Sequence, residues 1–343
     1  MLVFTKRRAV VVATLFALAG CSGSAGSGTF VPGSGAQTQS NHKSVPAALP
    51  PAVVHAGVPF APAALPRVTN WAPSLQPYST GNPLVFEGDQ QEAAVNVYAS
   101  GALQSNPAPI ANFKVPVGCP YGMAMDKTGT LYVATNCGGN TVEKYPKGKT
   151  SPSGAITTGI SNPLGLAIDT KGTLYVSNYP ASITEYPFGK TSPSKTIAGQ
   201  GLADPFGLAL DSKGNLFVAD FGAHQVFEIA HGTTTVKALN LQDLTEPLGV
   251  AVDQKNGDLW VTDGQGVKVN VYKAGSTTPS HTITAGYTFP YAIGIYEATG
   301  SVVTSNINAS PDAVYAYKPN TYSSYATLTN GVQLPTGLLW AKP

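Results

Sequence analysis

The residues that close one recurring phrase of this chain are all amides or carboxylates: Asn136, Asn178, Asp220, Asp263 and Asn306, with Asp89 in a weaker sixth copy. Hard oxygens gathered about one axis suit a Ca²⁺ ion or a polar small ligand. A second set, the middle residue of a recurring P-x-G, reads Tyr121, Leu164, Phe206, Leu248, Tyr291 and Thr336. Apolar patches beside convergent polar groups form the usual small-ligand or peptide site. Aromatic rings offer stacking area, and carboxylates favour a cation. The candidate ligand-binding residues are therefore Tyr121, Phe206 and Tyr291 with Asn136, Asn178, Asp220, Asp263 and Asn306. The structural alternative is that the Asn/Asp set caps turns and the rings plug the axis as core.

Other chemistry finds less support. The Asp of a repeated D-x-x-G (Asp126, Asp169, Asp211, Asp253) stands at the first position of a tight turn, where its side chain accepts backbone N–H groups. Beyond residue 83 the histidines are His224, His231 and His281, none at the same repeat position as another. His224, in a loop after strand two, is the one imidazole placed for acid/base or ligand work. No nucleophile elbow or phosphate-binding glycine pattern occurs, so the catalytic set is empty.

The elements that position these residues come from repetition. "CPYGMAMDKTGTLYVATN", "NPLGLAIDTKGTLYVSN", "DPFGLALDSKGNLFVAD", "EPLGVAVDQKNGDLWVTD" and a worn "FPYAIGIYEATGSVVTSN" start at Cys119, Asn162, Asp204, Glu246 and Phe289. Their prolines are 43, 42, 42 and 43 residues apart, a period that means repeated supersecondary units. Each phrase reads as strand, tight turn, strand, and a second hairpin such as "SITEYPFGKTSPSKTI" follows. Four antiparallel strands at this period make a propeller blade. The C-terminal "LPTGLLWAKP" opens a sixth copy and stops after one strand, while "PLVFEGD" and "AAVNVYASG" supply its missing partners at the front. The fold class is therefore all-β: a six-bladed β-propeller closed by the C-terminal strand pairing with the N-terminal blade, residues 84–113. Closure matters because an open ring leaves unpaired sheet edges.

The phrase P-x-G-x-A-x-D-x-x-G-x-L-[YFW]-V-x-[ND] resembles NHL repeats and, more loosely, the six-bladed SMP-30/gluconolactonase-like group. That resemblance implies the fold far more than a function, since propellers host hydrolases, lyases and binding modules. Lactonases of the resembled group hold a divalent ion in their channel with a glutamate from an early blade. Here only Glu87 or Glu92 stands for it, so the expected cofactor is none, with Ca²⁺ as the alternative.

The chain also carries an address. Lys6, Arg7 and Arg8 precede a short apolar run from Ala9 to Leu18, which reads as a secretory signal over residues 1–20. Leu18-Ala19-Gly20-Cys21 resembles the lipobox of bacterial lipoproteins, which implies acylation at Cys21. Ser22 is similar to the residue found in lipoproteins released to an outer membrane. Residues 21–82 are Gly/Ser- then Pro/Ala-rich, a linker, and residues 83–343 form the propeller. Loss of residues 1–20 removes three cations and takes the formal charge from +2 to −1, leaving Arg67 as the one arginine. Nucleic acid is thus an unsuitable partner. Cys119 and Cys137 are expected to face each other and form a disulfide: Met125 pairs with Leu131, and both pairs of residue numbers sum to 256. The sequence reading is a lipid-anchored, extracytoplasmic monomer of the bacterial envelope that binds a peptide, glycan or partner protein at the axial face. The alternatives are a divalent-metal-dependent lactonase-type hydrolase and a structural envelope scaffold.

Overall fold

The computed structural model describes residues 82–342. The signal, Cys21 and the linker up to residue 81 lie outside the described residues. Six four-stranded antiparallel sheets form the blades. Blade 1 joins Pro335–Ala341 to Leu84–Asp89, Ala94–Ala99 and Ala111–Lys114. Blade 2 runs Cys119–Met125, Leu131–Asn136, Thr141–Tyr145, Gly154–Ile156, and blade 3 Pro163–Ile168, Leu174–Asn178, Ser182–Tyr186, Lys195–Ala198. Blade 4 is Pro205–Leu210, Leu216–Asp220, Gln225–Ile229, Val236–Ala238, and blade 5 Pro247–Val252, Leu259–Asp263, Lys268–Tyr272, His281–Ile283. Blade 6 is Pro290–Tyr296, Ser301–Asn306, Ala313–Tyr317, Ala326–Leu328. The C-terminal strand pairs with the first one, Phe86 opposite Leu339, and so closes the ring as the repeats require.

The innermost strands pack blade to blade around a closed circuit, and the P-x-G glycines explain how they fit. A Cβ on Gly165 would lie 2.1 Å from the Phe206 carbonyl oxygen, and one on Gly337 1.8 Å from that of Tyr121. Glycine is needed here for close approach of backbones, not for a left-handed turn. Blade 6 carries Ala292 at this place. In blades 2 to 6 this segment is also a β-bulge, since the register against the second strand shifts between the proline and the residue three positions on. Hydroxyls staple neighbouring blades at the same level. Ser177 donates to the Phe206 carbonyl, Thr262 to that of Tyr291 and Thr336 to that of Pro120.

That bulge corrects one register. Met125 faces Leu131 and Met123 faces Val133, but above the bulge Cys119 faces Asn136, one residue short of Cys137. Cys137 takes a left-handed φ of 56°, and the two cysteines are joined with a Cα–Cα distance of 5.6 Å.

At the opposite end of the inner strands, the D-x-x-G aspartates cap their own turns. Asp169 Oδ1 accepts the N–H groups of Lys171 and Thr173, and Asp211 those of Lys213 and Asn215. The turn glycines take positive φ, as at Gly172 with 91°. The molecule thus has a P-x-G face and a turn face.

Candidate functional site: the P-x-G face

The repeat delivers Tyr121, Phe206 and Tyr291 from blades 2, 4 and 6 to the axis, as their spacing requires. They do not stand apart around an open bowl. Phe206 meets Tyr291 edge-on with ring centroids 5.2 Å apart and Tyr121 at 6.4 Å, and the three are 4%, 9% and 9% exposed. Leu164, Leu248 and Thr336 complete the layer and are buried. The rings plug the axis. Burial pushes the Tyr121 and Tyr291 phenols up, so they stay neutral.

Beneath the plug the axis is aliphatic. Met123, Leu166, Leu208, Val250, Ile293 and Leu338 form one ring of side chains around a cavity of about 170 Å³ that reaches Gln254 and Glu297 at the turn face. Alternating apolar positions on six converging strands account for it, because each inner strand points the same residues inward.

The Asn/Asp set is spent on backbone donors. Asp220 accepts from the N–H groups of Ala203, Asp204 and Ala223. Asp263 does the same for Thr245, Glu246 and Gly266, and Asn306 for Thr288 and Phe289. Asn178 binds Ser161 N–H and donates to Thr184, and Asp89 holds Glu92 and Gln333 N–H. Asn136, half-buried, accepts from Cys137 N–H. Asp220, Asp263 and Asp89 each tie the loop that arrives from the previous blade to the loop that leaves their own strand, whereas Asn178 and Asn306 hold the arriving loop alone and Asn136 the leaving one.

A divalent ion would need those oxygens free and convergent, and this donor set does not fit one. Among the described residues no three His, Cys, Asp or Glu side chains cluster to hold a metal. Glu92 is paired with Lys114 at 2.6 Å on the surface. Glu87 is fully buried, with one carboxylate oxygen bonded by Asn96 and the other without a partner. The histidines are scattered: His224 on the P-x-G face, His231 beside the Gly214 turn, and His281 stacked on Tyr322 at 3.5 Å.

What the sequence reading passed over is the residue before each proline. Asp204 and Glu246 occupy that place in blades 4 and 5. Glu246 is 8% exposed with one carboxylate oxygen unpartnered. Burial and the nearby Asp263 push its carboxyl up, while a Gln265 hydrogen bond and His224 pull it back. Tyr291 also feels the Glu246 charge. His224, Glu246 and Gln265 are therefore near neighbours beside the plug, while Asp204 lies against the loop at Gly222. The readable signal was variation at that position (Cys119, Asn162, Asp204, Glu246, Phe289, Leu334) on an otherwise constant frame.

No family model matches the chain, and no curated protein does. Solved structures do resemble it in fold. A chain of the crystal structure of the nidogen/laminin complex superposes with a TM-score of 0.63 at 16% identity, covering 76% of this chain and 98% of that one. A protein of unknown function from Bacteroides caccae superposes with a TM-score of 0.60 at 12% identity, covering 76% of this chain and all of its own. At such identities the likeness shows the fold, a six-bladed β-propeller, and the fold alone.

Proposed function

We propose that this chain is a lipid-anchored, extracytoplasmic binding module that recognises a peptide, glycan or partner protein on the P-x-G face of its propeller. The observation that carries this reading is the one-sided polar group of His224, Glu246 and Gln265 set against the plug of Tyr121, Phe206 and Tyr291. A repeated frame with varied side chains makes an asymmetric surface, which specific recognition requires, and a sealed axis gives that surface a rigid centre. The Asn/Asp set then acts as support, holding the loops that display the cluster. A propeller of similar fold occurs in a chain crystallised in the nidogen/laminin complex, in keeping with a module that binds another macromolecule. Export and anchoring rest on the lipobox-like Leu18-Ala19-Gly20-Cys21.

The test uses the full chain purified from membranes. Material retained from an envelope extract is compared for the native protein, a His224→Ala/Gln265→Ala double variant and a turn-face control, Lys171→Ala. Loss of a retained species in the double variant alone supports the reading, and equal retention by all three overturns it. Cys21→Ser should move the protein from the membrane fraction to the soluble one, with loss of the acyl mass. An unchanged fractionation would sink the anchor.

A further inference from the structure

A second cavity lies away from the P-x-G face. It is a cleft of about 630 Å³ between blades 4 and 5, opening toward the turns. Its blade-4 wall carries Phe217, half-buried, and a cross-strand pair, Glu228 opposite Lys237. The opposite wall is Tyr272 and the loop from Lys273 to Thr277.

The neighbouring interface shows what fills such a space. Between blades 5 and 6 the same three positions are Trp260, Val271 and His281. There Tyr322 of the blade-6 loop covers them, stacked on His281 at 3.5 Å and lying 5.8 Å from the Trp260 ring. Aligned on the tyrosine that ends each third strand, Tyr272 and Tyr317, the blade-5 residue in place of Tyr322 is Thr277. Its carbonyl is held by Gln242 N–H at 2.8 Å, which pins the loop against blade 4 without filling the cleft.

The residue types on the wall do not by themselves leave it open. Blade 3 has Tyr175, Glu185 and Lys195 at these positions, and there the ion pair closes to 3.3 Å with the Glu185 side chain 9% exposed. In blade 4 the pair stands 3.9 Å apart, with Glu228 26% and Lys237 72% exposed. Lys213, exposed on the adjoining turn, lines the same cleft. Asp211 and Asp253 also line it, but each has Oδ1 committed to turn N–H groups. Of the four lysines lining the cleft, Lys273 is paired with Asp258 and Lys255 bonds the Thr299 carbonyl, which leaves Lys213 and Lys237, the latter sharing its charge with Glu228 across 3.9 Å.

We infer that the cleft between blades 4 and 5 binds a small aromatic carboxylate, its ring on Phe217 where Tyr322 lies on Trp260 in the next interface, and its carboxylate on Lys237 and Lys213. This site is independent of the P-x-G face, and its test does not depend on that proposal.

The full chain is titrated with 4-hydroxyphenylacetate by ligand-observed NMR, beside its neutral amide and the non-aromatic cyclohexylacetate. Weak, saturable binding of the aromatic acid is expected, with the amide and the cyclohexyl acid each several-fold weaker. Lys237→Gln should weaken the acid about three- to fivefold and leave the amide unchanged, as loss of one exposed ion pair requires. Thr277→Tyr writes the blade-6 ring into the cleft, and it should abolish binding while the thermal midpoint holds or rises. A titration with no saturable signal up to about 10 mM overturns the proposal. So does equal binding of cyclohexylacetate, or a Thr277→Tyr protein that is folded and binds as before.

Discussion

The two ends of the propeller use the same chemistry at different depths. At the turn face, Asp169 and Asp211 cap exposed tight turns, each accepting two N–H groups of its own hairpin. At the P-x-G face, Asp220 and Asp263 accept three N–H groups apiece at zero exposure, and those donors belong to two different loops. A local cap stabilises one turn, whereas a cap that joins the incoming and outgoing loops stabilises the stacking of blades. The repeated turn aspartates therefore carry less of the stability than their conspicuous pattern suggests, and the P-x-G end carries more.

The largest effect follows directly. Asp263→Ala leaves three N–H groups without their acceptor, that of Glu246 in a buried bond, and should cost about 4 kcal/mol in denaturant unfolding. Asp169→Ala should cost about 1 kcal/mol, because water reaches its turn. Asp263→Asn should fall between the two, since one amide oxygen can keep the Glu246 and Gly266 donors, as Asn306 keeps two in blade 6, but its NH2 cannot accept from Thr245. Equal losses for Asp263→Ala and Asp169→Ala would erase the distinction between the two ends.

Backbone approach at the P-x-G end gives the next test. Gly165→Ala forces a Cβ against the Phe206 carbonyl and should cost about 3 kcal/mol, as overpacking of a rigid interface does. The reciprocal change in blade 6, Ala292→Gly, should cost under about 1 kcal/mol, the ordinary penalty of strand glycine. Comparable losses would mean that the blades slide apart readily and that the glycines are not close-approach residues.

The disulfide belongs to the same end. It closes a sequence separation of 18 residues, and removing it with Cys119→Ser/Cys137→Ser should cost about 3 kcal/mol by loop-closure entropy. Intact-mass analysis before and after reduction and alkylation checks the bond first.

Much of this architecture was legible because a repeat constrains itself. Five copies fixed the strands, and the truncated sixth with its partners near residue 84 fixed blade number and closure. The cysteine pairing could be read, but its register could not. A bulge at Pro120–Met123 has no signature beyond the P-x-G itself, and it moves Cys119 opposite Asn136. The site was less legible, since whether Tyr121, Phe206 and Tyr291 ring a bowl or fill it depends on how tightly six strands converge. That is a tertiary distance set by Gly165, Gly207, Gly337 and their neighbours. The cleft between blades 4 and 5 was invisible for the opposite reason: its wall uses residue types that a neighbouring blade buries, and it is the covering loop that differs.

The smallest expected effect concerns charge buried where blade 1 closes the ring. Glu87 is fully buried, and burial, with Asp89 beside it, pushes its carboxyl well above the ordinary range. Burial also lifts Asp89 to about 7, although its N–H bonds to Glu92 and Gln333 oppose this. Both folded-state values lie above the unfolded ones, so the folded protein binds these protons more tightly than the unfolded chain does. The number of protons bound in the unfolded state minus that in the folded state is then negative, and stability falls as pH rises. For Asp89 the fall spans the window from 3.8 to about 7, and Glu87 extends it in the same direction. Glu87→Gln removes one of the two carboxyls and keeps an oxygen for Asn96 to bond. Thermal midpoints measured from pH 5 to pH 8 should therefore decline less steeply in the variant, which should melt about 2–4 °C above the native protein at the alkaline end. Parallel profiles for the two proteins would show that the ring closes over a carboxylate whose charge the P-x-G end tolerates as readily as the turn end tolerates Asp169.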